Sequence, residues 1–123
     1  MSLTLEFQEN VAVLTHDDGK RNVFSPDAIR DFNEALDEVE AKSASLMWLG
    51  RDGCFSAGFD LKVISSGDAD GAAAMVKAGG ALAFRIFTFP HPVVCAVTGH
   101  CLALGSVMLV CADKRIGIEG DYK

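Results

Sequence analysis

The segment Phe55–Leu61, with the sequence FSAGFDL, limits the fold of this chain more than any other feature. It follows a short apolar run at residues 46–49 and a glycine-containing turn at residues 50–53. A strand that ends in such a corner presents backbone N–H groups at the edge of a sheet, because Gly58 adopts positive φ at little cost. We predict that the N–H of Ala57 has no internal partner there and is free to stabilise an oxyanion. The simpler alternative is an ordinary turn before the next helix.

A second strand and glycine turn follow in residues 92–99, and an apolar segment continues to Asp113. The pattern predicts a buried strand, a turn at Gly99 and an apolar helix whose first turn lies just past the strand end. The N–H groups of a first helical turn have no partner within their own helix. The sequence therefore predicts a second set of free backbone donors.

Together the two segments resemble the enoyl-CoA hydratase/isomerase (crotonase) superfamily. The family motifs have the forms F-x-A-G-x-D-L and P-x-x-A-x-x-x-G, and the second continues into a glycine-rich helix start and an aspartate. Their order and separation agree with this chain. The resemblance implies an α/β fold of the ClpP/crotonase type, a superhelix of repeated β-β-α units. Residues 1–123 would be the N-terminal portion of a single crotonase-like domain, which we expect to be incomplete at the C-terminus because family members are considerably longer.

The resemblance also implies chemistry on an acyl-CoA thioester. The catalytic groups would be the backbone N–H groups of Ala57 and Leu104, which hold the charge of a thioester enolate. Coenzyme A would enter as part of the substrate, with no separate cofactor and no metal, and Lys62 or Arg51 would reach a phosphate. The expected substrate contacts lie in a polar loop, in the first motif and at the helix start. They are Lys20, Arg21, Asn22, Gly58, Phe59, Asp60, Leu61 and Val107.

The chain departs from the family pattern at the start of this helix. Hydratases carry a catalytic glutamate where this chain has Val107, whose side chain transfers no proton. A positioned acid or base contributes about 10²–10⁴ in rate, so hydration by the usual pair of glutamates would be impaired.

Three interpretations of the function remain open. The first is a crotonase-type enzyme that acts on an acyl-CoA, either a hydratase or an isomerase, hydrolase or lyase that uses bases outside this stretch. The second is a catalytically silent acyl-CoA-binding homologue, which Val107 favours. The third is a doubly wound nucleotide-binding domain, which is weakened because no G-x-G-x-x-G follows any predicted strand.

Three side chains near the second motif are further candidates for chemistry. His100 is suited equally to a structural hydrogen bond and to a role in the site. For Asp113 a cap or an ion pair is favoured over a catalytic role. Cys101 lies near a helix start, which favours a thiolate, but no base is evident for it.

Composition disfavours several function classes. The formal net charge of −6, with a pI of about 4.9, argues against a nucleic-acid partner because phosphate binding needs a clustered basic surface. No apolar run reaches membrane-spanning length, no signal-peptide pattern begins the chain, and the four cysteines lack zinc-type spacing. We expect a cytoplasmic protein with no membrane partner. The resemblance implies a homotrimer or a dimer of trimers in fatty acid metabolism.

Hydrophobic periodicity and helix-start residues predict the order of the remaining elements. Alternating residues predict a hairpin over 3–15, and Ser25 followed by Pro26 predicts the start of an amphipathic helix. We predict a further apolar helix over residues 72–89 and a strand over residues 114–118.

Overall fold

A computed structural model describes residues 2–123 of the chain. The strands are β1 (Leu3–Gln8), β2 (Val11–His16), β3 (Val23–Phe24), β4 (Ser45–Leu49), β5 (Gly53–Ser56), β6 (Gly58–Phe59), β7 (Val93–Ala96), β8 (Gly99–Cys101) and β9 (Lys114–Ile116). The helices are α1 (Pro26–Ala41), α2 (Leu61–Ile64), α3 (Ala69–Phe87) and α4 (Leu104–Cys111).

The main sheet has the strand order β1-β2-β4-β7-β9. Strands β1 and β2 are antiparallel, with Leu3 opposite His16 and Gln8 opposite Val11, which confirms the predicted hairpin. From β2 onward the neighbouring strands of this sheet are parallel. Parallel neighbours need crossover connections, and α1, α3 and α4 lie in those connections.

Helix α1 begins where its sequence signals predict. The Ser25 hydroxyl accepts a hydrogen bond from the N–H of Ala28 at 3.0 Å, and Pro26 is the first helical residue. The buried face of the helix packs into an aromatic core in which Phe32 lies 4.9 Å from Trp48 between ring centroids. Full burial of one large apolar side chain contributes about 1.5–3 kcal/mol, so this face anchors the helix to the sheet.

Helix α3 and strand β9 differ slightly from their predicted bounds. The helix starts at Ala69 rather than residue 72, because the Asp68 carboxylate caps it by accepting the N–H of Gly71 at 3.0 Å. It ends at Phe87, two residues before the predicted end. Strand β9 covers only residues 114–116.

Two small parallel sheets bring the two motifs together. Strand β5 of the first motif pairs with β8 of the second, with Cys54 opposite His100 and Ser56 opposite Cys101. Strand β6 pairs with β3, which follows the polar loop. The corners after β5 and β8 therefore lie side by side. None of the helices in residues 2–123 has the length and apolar character needed to cross a membrane.

Candidate active site at the paired corners

The N–H of Ala57 is not free, and this prediction was wrong. It donates a hydrogen bond to the carbonyl oxygen of Arg21 at 2.9 Å. A carbonyl of the polar loop before β3 thus accepts the hydrogen bond of the N–H that we expected to be free. Gly58 does adopt positive φ, at 101°, so the corner itself forms as predicted.

A later residue of the same corner directs its backbone N–H away from the neighbouring strand. The N–H of Asp60 donates to the carbonyl oxygen of Phe24 in β3 at 3.2 Å. Because backbone N–H groups alternate in direction along a strand, the N–H of Phe59 points away from β3. Within the described residues β3 is the one strand partner of β6. This direction favours Phe59, expected only as a substrate contact, over Ala57 as the backbone donor at this corner.

The second donor is the N–H of Leu104, the first residue of α4. The next three N–H groups of the helix bond to the carbonyls of Leu102 and Ala103, but that of Leu104 has no acceptor within residues 2–123. This is the ordinary situation of an N–H in the first helical turn. The prediction that the start of this helix presents a free donor at Leu104 agrees with this geometry.

The two corners are in direct contact. A Cβ added at Gly58 would lie 2.8 Å from the Cβ of Ala103 and 3.1 Å from the backbone nitrogen of Leu104. Only glycine permits this approach while also taking positive φ. The side chains of Phe59 and Leu104 also meet at α3, where both lie against Gly79.

Ala103 holds an unusual backbone conformation immediately before α4. Its φ is 52° and its ψ is −123°, a region that glycine adopts readily and alanine does not. The turn that exposes the Leu104 N–H is therefore strained in this chain.

The polar loop before β3 is built by two of its own side chains. The Asp18 carboxylate accepts the N–H groups of Lys20, Asn22 and Val23 at 2.7–3.0 Å. Burial raises the pKa of Asp18, but these backbone hydrogen bonds outweigh it and hold the pKa below its ordinary value. The loop keeps its shape because its carboxylate stays ionised.

Asn22 belongs to the interior, so its predicted contact with coenzyme A was wrong. The residue is fully buried, and its amide nitrogen donates to the carbonyls of His16, Cys54 and Phe55 at 2.6–3.2 Å. Its amide oxygen accepts the N–H of Asp18 at 2.9 Å. With these bonds made, the side chain joins the loop to β5 and has no group left for a ligand.

Two of the cavities beside the paired corners share Arg21, Val23, Asp60 and Lys62. The first, of about 470 Å³, is also lined by Ala57, Phe59, Leu61, Ile64, Leu102 and Ala103. The second, of about 580 Å³, is also lined by Asp18 and Lys20. The first cavity is largely apolar and adjoins the two corners, although Arg21 and Lys62 line it as well, and the second adds Lys20 to these two cationic side chains. Arg51 is not among them, because it bonds to Asp17 and to the carbonyl of Lys20.

The candidate acids and bases have structural partners. The Asp113 carboxylate accepts the N–H of Val93 at 2.7 Å, and Nδ1 of His100 accepts the N–H of Lys123 at 2.9 Å. Burial raises the pKa of the Cys101 thiol, so the expected thiolate is disfavoured. Within residues 2–123 no three His, Cys, Asp or Glu side chains converge as a metal site would require.

Val107 lies on the exposed side of α4, with 46% of its surface accessible. It lines neither of the two cavities. Its contact with the substrate stays a prediction.

Comparison with known proteins decides the family. The sequence model described as Enoyl-CoA hydratase/isomerase matches residues 6–119, which is most of the chain. The chain belongs to the enoyl-CoA hydratase/isomerase family. This confirms the resemblance inferred from the two motifs, and the family fold agrees with the observed α/β architecture.

Similar proteins include family members from several bacteria. A probable enoyl-CoA hydratase of Bacillus subtilis is 30% identical over 96% of this chain and 47% of its own length. A crystal structure of an enoyl-CoA hydratase/isomerase family protein from Pseudomonas syringae has a TM-score of 0.95 at 39% identity, covering 98% of this chain and 52% of that one. A structure of an enoyl-CoA isomerase from Mycobacterium tuberculosis has a TM-score of 0.87 at 35% identity. The match covers 93% of this chain and 50% of that one. The chain spans about half the length of these family members.

Proposed function

We propose that this chain acts within an enoyl-CoA hydratase/isomerase that stabilises the enolate of an acyl-CoA thioester. The observation that carries the proposal is the pair of backbone donors, Phe59 and Leu104, on two corners in contact. When an α-proton leaves or water adds at the β-carbon, negative charge accumulates on the thioester oxygen. Two fixed N–H donors at that oxygen stabilise the charge, and the positive end of the α4 dipole adds to them.

The two cavities support a division of the substrate between them. The acyl thioester would lie in the apolar cavity beside the donors, against Leu61 and Phe59. The phosphates of coenzyme A would lie in the other cavity, where Lys20, Arg21 and Lys62 supply positive charge. The Asp60 carboxylate caps α2 by accepting the N–H of Lys62 at 3.0 Å. Asp60 therefore fixes the start of α2 at a position where both cavities meet it.

The side chain at residue 107 favours a reaction other than hydration by two glutamates. Valine offers no proton, so we propose that proton transfer falls to a group outside the start of α4. Isomerisation needs one such group, which fits this site better than hydration does. The second candidate function is a silent acyl-CoA-binding homologue, and the absence of an acid at Val107 is the observation that favours it.

Several further properties are proposed on the resemblance alone. They are a homotrimer or dimer of trimers, a cytoplasmic location, a role in fatty acid metabolism, and coenzyme A as part of the substrate with no separate cofactor. We also propose residues 1–123 as the N-terminal part of one crotonase-like domain, because the chain spans about half of the family members it matches.

The test combines binding with turnover. Hexadienoyl-CoA, a conjugated thioester, should show a red-shifted absorbance when bound, because donors at the thioester oxygen polarise the conjugated system. Enoyl-CoA substrates with the double bond at either position should then be followed for interconversion and for loss of the conjugated absorbance. A red shift with isomerisation supports the enzyme, and a red shift without turnover of any substrate supports the silent homologue. Binding without a red shift would contradict the donor assignment.

A further inference from the structure

Ser56 is the last residue of β5 and is fully buried beneath the first corner. Its hydroxyl donates to the carbonyl oxygen of Asn22 at 2.7 Å and accepts the N–H of Gly58 at 3.0 Å. A hydroxyl that both donates and accepts is fixed in its rotation. The residue thus joins the polar loop to the Gly58 backbone just before the Phe59 donor.

The backbone of Ser56 also holds the second corner. Its carbonyl oxygen accepts the N–H of Leu102 at 2.9 Å, two residues before the Leu104 donor. Gly105 lies directly against it, since a Cβ added there would come 2.7 Å from that oxygen and 3.0 Å from the Ser56 Cβ. One buried residue therefore contacts both corners that carry the donors.

We propose that Ser56 is a positioning residue that fixes the direction of the Phe59 N–H relative to that of Leu104. This inference rests on the proposed function, because it concerns the same pair of donors. Without the hydroxyl, the Gly58 N–H and the Asn22 carbonyl lose a buried hydrogen-bond partner. The backbone of Gly58 then changes its φ and ψ easily, because glycine has no Cβ to restrict them. The donor that follows then samples directions that miss the thioester oxygen. In the first motif this position is an unspecified x, so the motif alone gives no reason to single it out.

The first experiment needs no ligand. Amide hydrogen exchange of Gly58 is measured in the full chain with Ser56 and in Ser56→Ala. We expect Gly58 exchange to accelerate at least about tenfold beyond the change in globally protected amides, since its one hydroxyl partner is lost. Ser56→Cys keeps the shape with a weaker acceptor and should give a smaller acceleration; it also serves if the alanine variant fails to fold. Wild-type protection of Gly58 in the folded variants would overturn the proposal.

The second experiment asks whether the donors lose alignment. Hexadienoyl-CoA is added to saturation, and the red shift of the bound chromophore is compared among wild type, Ser56→Ala and Ser25→Ala. Ser25→Ala removes the α1 cap and lowers stability at a remote place, so it controls for destabilisation. We expect a reduced red shift in Ser56→Ala alone.

The outcomes separate this inference from the proposed function. A wild-type red shift that persists unchanged in Ser56→Ala would overturn the positioning role and leave the donor pair standing. A bound ligand with no red shift in the wild type would overturn the donor pair, and with it the inference, whatever the exchange result.

Discussion

Replacing Ala103 with glycine should stabilise this protein, although glycine usually does the reverse. Ala103 has φ 52° and ψ −123°, and an unfavourable backbone region of this kind costs about 1–3 kcal/mol for a residue with a Cβ. Glycine removes that strain but adds about 0.5–1 kcal/mol of unfolded-state entropy. The residue is exposed, so little apolar burial is lost. The net gain is about 1 kcal/mol, which raises the melting temperature by about 4 °C for a chain of this size.

The assay is thermal and urea unfolding of Ala103→Gly beside Ala112→Gly. Ala112 directly follows the same helix as its C-cap residue with φ −74°, where alanine is unstrained, so glycine there should destabilise the protein. We expect the free energy of unfolding to rise in Ala103→Gly and to fall in Ala112→Gly. If Ala103→Gly were less stable than wild type, the strain assigned to the turn before Leu104 would be refuted.

Two further predictions concern the stability of the protein at low pH and the effect of a carboxylate at residue 107. His16 is fully buried, neither of its ring nitrogens has a hydrogen-bond partner among residues 2–123, and burial lowers its pKa to about 4. Because the folded state disfavours protonation, stability should fall as the pH drops from 6.5 to about 4, by up to about 3 kcal/mol, and urea unfolding of His16→Phe should lack this component. Val107→Glu should raise crotonyl-CoA hydration, measured as loss of enoyl-thioester absorbance, when a second carboxylate is available. Strong hydration by the parent would contradict the role given to Val107.

Local signals in the sequence were sufficient for much of the fold. The Ser25 cap, the 3–15 hairpin and the apolar helix after the Gly99 turn depend on neighbouring residues, so their patterns predicted them correctly. The family resemblance also rested on local motifs and was confirmed. These features share short sequence separation, where propensity and capping rules apply directly.

The errors at the site came from contacts between distant segments. The direction of the N–H groups after β5 depends on β3, a strand of two residues whose pairing no periodicity reveals. The Ala57 N–H bonds to Arg21, and the Asp60 N–H bonds to Phe24, which directs the N–H of Phe59 away from β3. Asn22 looked like a surface residue of a polar loop, but its amide supplies the partners that three buried carbonyls need.

The most direct test of the donor pair removes one N–H and leaves the rest of the chain in place. Leu104 is the first residue of α4 and its N–H makes no bond within the helix, so Leu104→Pro deletes the donor without removing a helical hydrogen bond. Leu104→Ala is the matched control, because it loses the same side chain and keeps the N–H. With bound hexadienoyl-CoA, we predict that Leu104→Ala retains the red shift and Leu104→Pro loses it, and that any turnover falls about 10²–10³-fold in the proline variant alone. An undiminished red shift in folded Leu104→Pro would contradict the account.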